Sequence, residues 1–141
     1  MLFKKDTSKL ASDRRDNTMF ALGLVTICVL SVAIAQVTMK HGMNQIGDIS
    51  NIWQLFNFNT LFKIFTNPFV FIGIIIHIVA AILWLGALSS LEVSFIYPLL
   101  SLGYVVTAVF AWIFLKESIN LFRWLGIIFV IVGCFLIVKM S

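Results

Sequence analysis

The 141 residues are 61% hydrophobic and only 11% charged, with a net charge of +4 and a mean hydropathy of +1.06. A soluble domain is roughly 45–50% apolar and about 25% charged, and a chain this short has too much surface for its volume to hide the excess. A water-soluble fold is excluded, and the composition predicts a small integral membrane protein, one unit, that associates with further subunits.

Residues 1–18 form a basic tail in which Lys4, Lys5, Lys9, Arg14 and Arg15 outnumber Asp6, Asp13 and Asp16. Such a tail sets topology and touches anionic headgroups. It has no interleaved aromatics and no reader module behind it, so no nucleic acid is expected as a partner. It is too polar and too mixed in sign for a secretory leader.

About 20 helical residues cross the hydrocarbon core. Spans are predicted at about 19–39, 68–89, 94–115 and 122–138, with Pro68 placed at a helix start. Each must satisfy its own backbone hydrogen bonds, and four segments cannot close a barrel. The fold class is therefore all-α, a membrane four-helix bundle over residues 19–141. Residues 41–67 mix amides with Trp53, Phe56, Phe58, Phe62 and Phe65, the composition of an interfacial loop whose aromatics anchor at the headgroups. With the N-terminus inside, the tail and Lys139 give six inner cations against Lys40, Lys63, Lys116 and Arg123 outside. This predicts a cytoplasmic N-terminus, and the prediction hangs on the tail.

On the first span, Gln36 and Lys40 are helical neighbours. Lys40 either snorkels to the interface or holds a phosphate there, with Gln36 below it as a neutral donor. On the second, His77 lies near mid-span, with Gly73 a turn before it and Trp84 two turns after. An ionisable group at that depth is a functional-site hypothesis. It either handles protons or sits neutral and hydrogen-bonded inside the protein. No second histidine or carboxylate stands at ligand spacing, so no metal or other cofactor is expected.

On the third span, Tyr97, Ser101 and Tyr104 are spaced as one helical stripe, with Pro98 freeing a carbonyl beside them. Their phenols and hydroxyl either bind sugar hydroxyls, phosphate or a cation, or join helices as polar glue. The fourth span offers Gly126 and Gly133 on one face, a place for another helix to approach. Cys28 and Cys134 lack paired spacing and read as small packing residues. No Ser/His/Asp set, Gly-rich phosphate loop or intramembrane carboxylate pair is present, and no enzyme is predicted.

Five stretches together carry a resemblance. They are Ser31–Lys40, Leu83-Trp84-Leu85, Val93–Ser101 with its Tyr97-Pro98-Leu99-Leu100-Ser101 run, Lys116-Glu117-Ser118, and Gly126–Gly133. Over about residues 19–141 the chain resembles the drug/metabolite transporter superfamily, at the length of its small multidrug resistance proteins and EamA-like half-units. The pattern is most similar to the small subunits that flip aminoarabinose-linked undecaprenyl phosphate. Where the multidrug exporters carry a helix-one glutamate, this chain has Val32. The resemblance then implies a transporter in a bacterial inner membrane, moving a polyprenyl-phosphate-linked sugar rather than exchanging protons for cationic drugs. It also implies homo- or heterodimers formed through the fourth helix, at Gly126 and Gly133. The expected substrate-binding residues are Gln36, Lys40, His77, Trp84, Tyr97, Ser101 and Tyr104. Two other readings stand beside this one: an exporter of small hydrophilic or cationic metabolites, and a non-transporting subunit of a membrane complex.

Overall fold

A computed structural model describes the backbone of residues 3–140 and side chains from residue 15 to 139. The side chains of the tail up to residue 14 therefore lie outside the described residues. Among the described residues six helices follow in order: α1 Phe3–Ile46, α2 Ile52–Leu55, α3 Phe58–Thr66, α4 Pro68–Leu88, α5 Val93–Phe114 and α6 Leu121–Met140. No strand occurs among the described residues. Four helices are long and apolar enough to cross a membrane: α4, α5, and the stretches Arg15–Ile46 of α1 and Leu121–Lys139 of α6.

Each boundary has a local cause. The first helix runs past the predicted end at residue 39 because nothing breaks it before Gly47, whose φ of 101° is open to glycine at little cost. The Gly47 N–H closes the last turn on the Met43 carbonyl at 3.1 Å. Residues 41–46 thus belong to α1, and the loop proper starts at Gly47. Asn51, Asn57 and Asn67 begin α2, α3 and α4 in turn, each side chain accepting from backbone N–H groups of the first turn. Pro68 takes the first position of α4, where its missing N–H costs nothing. At the end of α5 the backbone reverses through Lys116, at φ 54°.

Packing follows the small residues. Helix α1 lies along α4 and then α5, while α6 packs on α5. The buried face of α1 is made of Ala21, Val25, Cys28, Val29, Ala33 and Ala35, and that of α4 of Val70, Gly73, Ala80 and Ala87. Lipid gives apolar helices no reason to prefer one another, so close approach through small residues supplies the attraction. The tightest points are Gly73, where a Cβ would strike Met39 and come within 3.0 Å of the Ala35 carbonyl, and Gly42, which faces Asn67 and Val70. A second cluster at the opposite end joins Val25, Val29, Ala87 and Ile96. The outer face of α6 stays bare, with Phe122 81% and Phe129 74% exposed. Helices α2 and α3 bury no residue, and Trp53, Phe56, Phe58, Phe62 and Phe65 all remain exposed.

Candidate functional site

Between α1, α4 and α5 the helices part around an open cavity of about 520 Å³. Helix α1 contributes Cys28, Val32 and Gln36; α4 contributes His77, Ala80, Ala81 and Trp84; α5 contributes Leu100, Gly103, Tyr104 and Thr107. These positions lie near the middle of each span, so the cavity lies at mid-bilayer depth. Its opening rests on side-chain size, because Ala80, Ala81 and Gly103 leave room that larger residues would fill.

The polar inventory is neutral. Gln36 brings an amide, Tyr104 and Thr107 hydroxyls, Trp84 an indole, and His77 an imidazole, while no charged residue lines the space. The Cys28 thiol points to the Ala80 carbonyl at 3.4 Å and is thereby occupied. His77 is different: its Nδ1 is buried and finds no hydrogen-bond partner among the described residues. Leaving a buried polar atom unmade costs about 1–3 kcal/mol. That atom is closed to the cavity as well as unpaired, so His77 meets the cavity only through the rest of its ring.

Four of the predicted site residues, Gln36, His77, Trp84 and Tyr104, meet in this cavity. Three stand outside its lining. Lys40 is exposed one turn beyond Gln36 on α1, about 6 Å further along the axis. Tyr97 sits edge-on against Trp84, with ring centroids 5.5 Å apart and planes at 86°, and so buttresses the indole from behind. Ser101 turns towards α6. Its Oγ donates to the Pro98 carbonyl at 2.5 Å and lies 2.9 Å from Cys134 Sγ, which itself reaches the same carbonyl at 3.1 Å. Pro98's own carbonyl is thus a joint between α5 and α6, whereas the carbonyl left free by its missing N–H is that of Ser94, a turn earlier. Ser101→Ala is therefore expected to lower stability by about 1 kcal/mol and to leave ligand binding at the cavity unchanged, measured by thermal unfolding and ligand titration of the same sample.

The stripe that reaches the cavity is Leu100, Tyr104 and Thr107, spaced four and three residues apart, with Tyr97 one turn before it. Thr107 was within reach of sequence reasoning as the next polar residue on the Tyr104 face. Val32 also lines the cavity, so the position where a carboxylate would bind cations is on the wall and apolar.

Four spanning helices, three of them around an uncharged and largely apolar cavity with a few polar groups at mid-depth, define a small polytopic membrane carrier. The chain belongs to the EamA-like transporter family, which it matches over residues 18–139. Among its relatives is the "Probable 4-amino-4-deoxy-L-arabinose-phosphoundecaprenol flippase subunit ArnF" of Proteus mirabilis, 32% identical over 77% of this chain and 84% of that protein. The protein of the same name from Erwinia tasmaniensis is 35% identical over 75% of this chain and 79% of its own length. The corresponding ArnE subunit of Pseudomonas fluorescens is 25% identical over 86% of this chain and 99% of its own. No solved structure matches significantly.

Proposed function

We propose that this transporter moves a polyprenyl-phosphate-linked aminosugar between leaflets, as one subunit of a two-chain flippase in a bacterial inner membrane. The observation that carries the reading is the uncharged cavity, whose few polar groups come from Gln36, His77, Tyr104 and Thr107. Uncharged donors and acceptors in that number suit sugar hydroxyls, and the Trp84 and Tyr104 rings suit an amino group on the sugar. With no carboxylate on the wall, a proton-for-cation exchange has no carrier. Lys40, one turn above at the rim, meets the phosphate, and the polyprenyl chain stays in lipid.

Both kinds of flippase subunit, ArnF and ArnE, are among the relatives, which favours a heterodimer over a homodimer. Helix α6 is the face for it: nothing lies within 4 Å of a Cβ built on Gly126 or Gly133, so a partner helix can come close there. The basic tail favours a cytoplasmic N-terminus.

The test is reconstitution in proteoliposomes with aminoarabinose-linked undecaprenyl phosphate, alone and with an ArnE-type partner. Flipping that appears only on co-reconstitution is expected, and Lys40→Ala is expected to slow it about tenfold, the loss of one charge-assisted phosphate contact. Equal flipping by wild type and Lys40→Ala would remove Lys40 from the phosphate site.

A further inference from the structure

At the end of α1 remote from the cavity's core, three polar side chains form a chain whose donor and acceptor order is forced. Asn67 Oδ1 accepts from the backbone N–H groups of Phe69 at 3.0 Å and Val70 at 3.2 Å. An amide nitrogen cannot accept, so the identity of that oxygen is fixed and Nδ2 faces the other way as a donor. It donates to Gln45 Oε1 at 3.1 Å. The Gln45 amide is thereby fixed too, and its Nε2 faces His41 Nε2 at 3.3 Å. A donor must meet an acceptor there. A hydrogen bond at that joint requires a bare His41 Nε2, with the ring's proton on Nδ1.

We infer that His41, Gln45 and Asn67 form a proton-sensitive clasp that closes the base of the 47–66 loop by tying the end of α1 to the start of α4. A second proton on His41 sets N–H against the Gln45 NH2. Turning the Gln45 amide over repairs that joint and breaks the one to Asn67, whose own amide is held by the α4 cap. Either way one joint opens.

The surroundings hold the ring in place without supplying a competing partner. Phe69 of α4 meets the His41 ring edge-on, with centroids 4.7 Å apart. The groove beside the ring, lined by Phe69, by Phe110 and Phe114 of α5 and by Leu115 just after it, contains no charged side chain among the described residues. The charged residues of the packed elements, among the described side chains, are Lys40 on α1 with Arg15 and Asp16 at its far end, Lys63 on α3, and Lys116 and Glu117 after α5, with Asp48 just beyond Gly47; α4 carries only His77, two turns deeper. Backbone contact makes the position sensitive: a Cβ on Gly42 would lie 2.7 Å from Asn67 Oδ1 and 3.0 Å from the Val70 nitrogen.

The experiment uses the full-length protein in lipid nanodiscs. Nitrogen-15 histidine NMR at pH 8 is expected to show His41 with an unprotonated Nε2. Amide exchange at Phe69 and Val70, corrected for intrinsic rates, is then followed from about pH 8 to pH 5, the interval in which imidazoles charge. Protection is expected to fall about two- to tenfold in the wild type, because an Asn67 side chain no longer tied to Gln45 leaves the cap more often. In Gln45→Glu both carboxylate oxygens accept, so the clasp survives protonation and the fall disappears; in His41→Phe the profile is flat. An Nε2–H tautomer at pH 8, or a fall of the same size in Gln45→Glu as in the wild type, would overturn the clasp.

Discussion

Gly73→Leu is expected to leave little folded protein. At Gly73 helices α1 and α4 run so close that the missing side chain is part of the packing. A Cβ there would strike Met39, which can move, and come within 3.0 Å of the Ala35 carbonyl, which cannot without shifting the helix. Overpacking usually costs about 1–3 kcal/mol, and with rigid backbone on one side the upper end or more is expected. Helix α1 also forms one wall of the cavity, so a shift of α1 away from α4 separates Gln36 from His77 as well as destabilising the bundle. Gly73→Ala is the graded control, with a smaller loss. Membrane-inserted yield and the thermal midpoint in detergent measure both. Yields equal to wild type for Gly73→Leu would mean that the α1–α4 contact is looser than described.

His77→Leu is expected to separate stability from function. Its Nδ1 is buried with no partner among the described residues, so the folded protein carries a desolvation penalty that a leucine of similar bulk removes. Replacing an unsatisfied polar group by an apolar one is neutral or stabilising. The thermal midpoint should therefore hold or rise, by the equivalent of about 1 kcal/mol. Flipping should fall about tenfold or more, because the polar ring that His77 presents to the cavity is replaced by an apolar side chain. A structural histidine would give the opposite pair: a lower midpoint, with activity falling only in proportion to folded protein. Native mass spectrometry supplies an independent readout, since co-purifying lipid should be lost with His77→Leu and kept with Ser101→Ala.

Much of this was legible in the residues. Length and apolarity alone placed four spans, and the depth of His77 marked it before any packing was known. The helix ends were less so. Lys40 marks where the apolar face ends, whereas α1 itself continues to Ile46, because helices stop at a conformational break, here Gly47, and not at the first cation. The third-helix stripe shows the finer limit. Residues three and four apart both lie on one side of a helix, so Tyr97, Ser101 and Tyr104 fit a stripe as well as Tyr97, Leu100, Tyr104 and Thr107. Only the position of α6, with Cys134 set against Ser101, divides them. Gly73 likewise looked like any small residue near a histidine. Its role depends on Met39 and Ala35, 34 and 38 positions away in the chain, and such pairings are set by the fold and not by local pattern.

Whether the α1–α4–α5 cavity receives the sugar headgroup of a lipid is answered by photocrosslinking with aminoarabinose-linked undecaprenyl phosphate that carries a diazirine on the sugar, in membranes that also contain the partner subunit. Crosslinked peptides are predicted from α4 around His77–Trp84 and α5 around Gly103–Thr107, competed away by unlabelled lipid and lost in Ala81→Phe, which fills the cavity. Competed crosslinks confined to the outer face of α6, with the cavity peptides unlabelled, would place the headgroup outside the cavity.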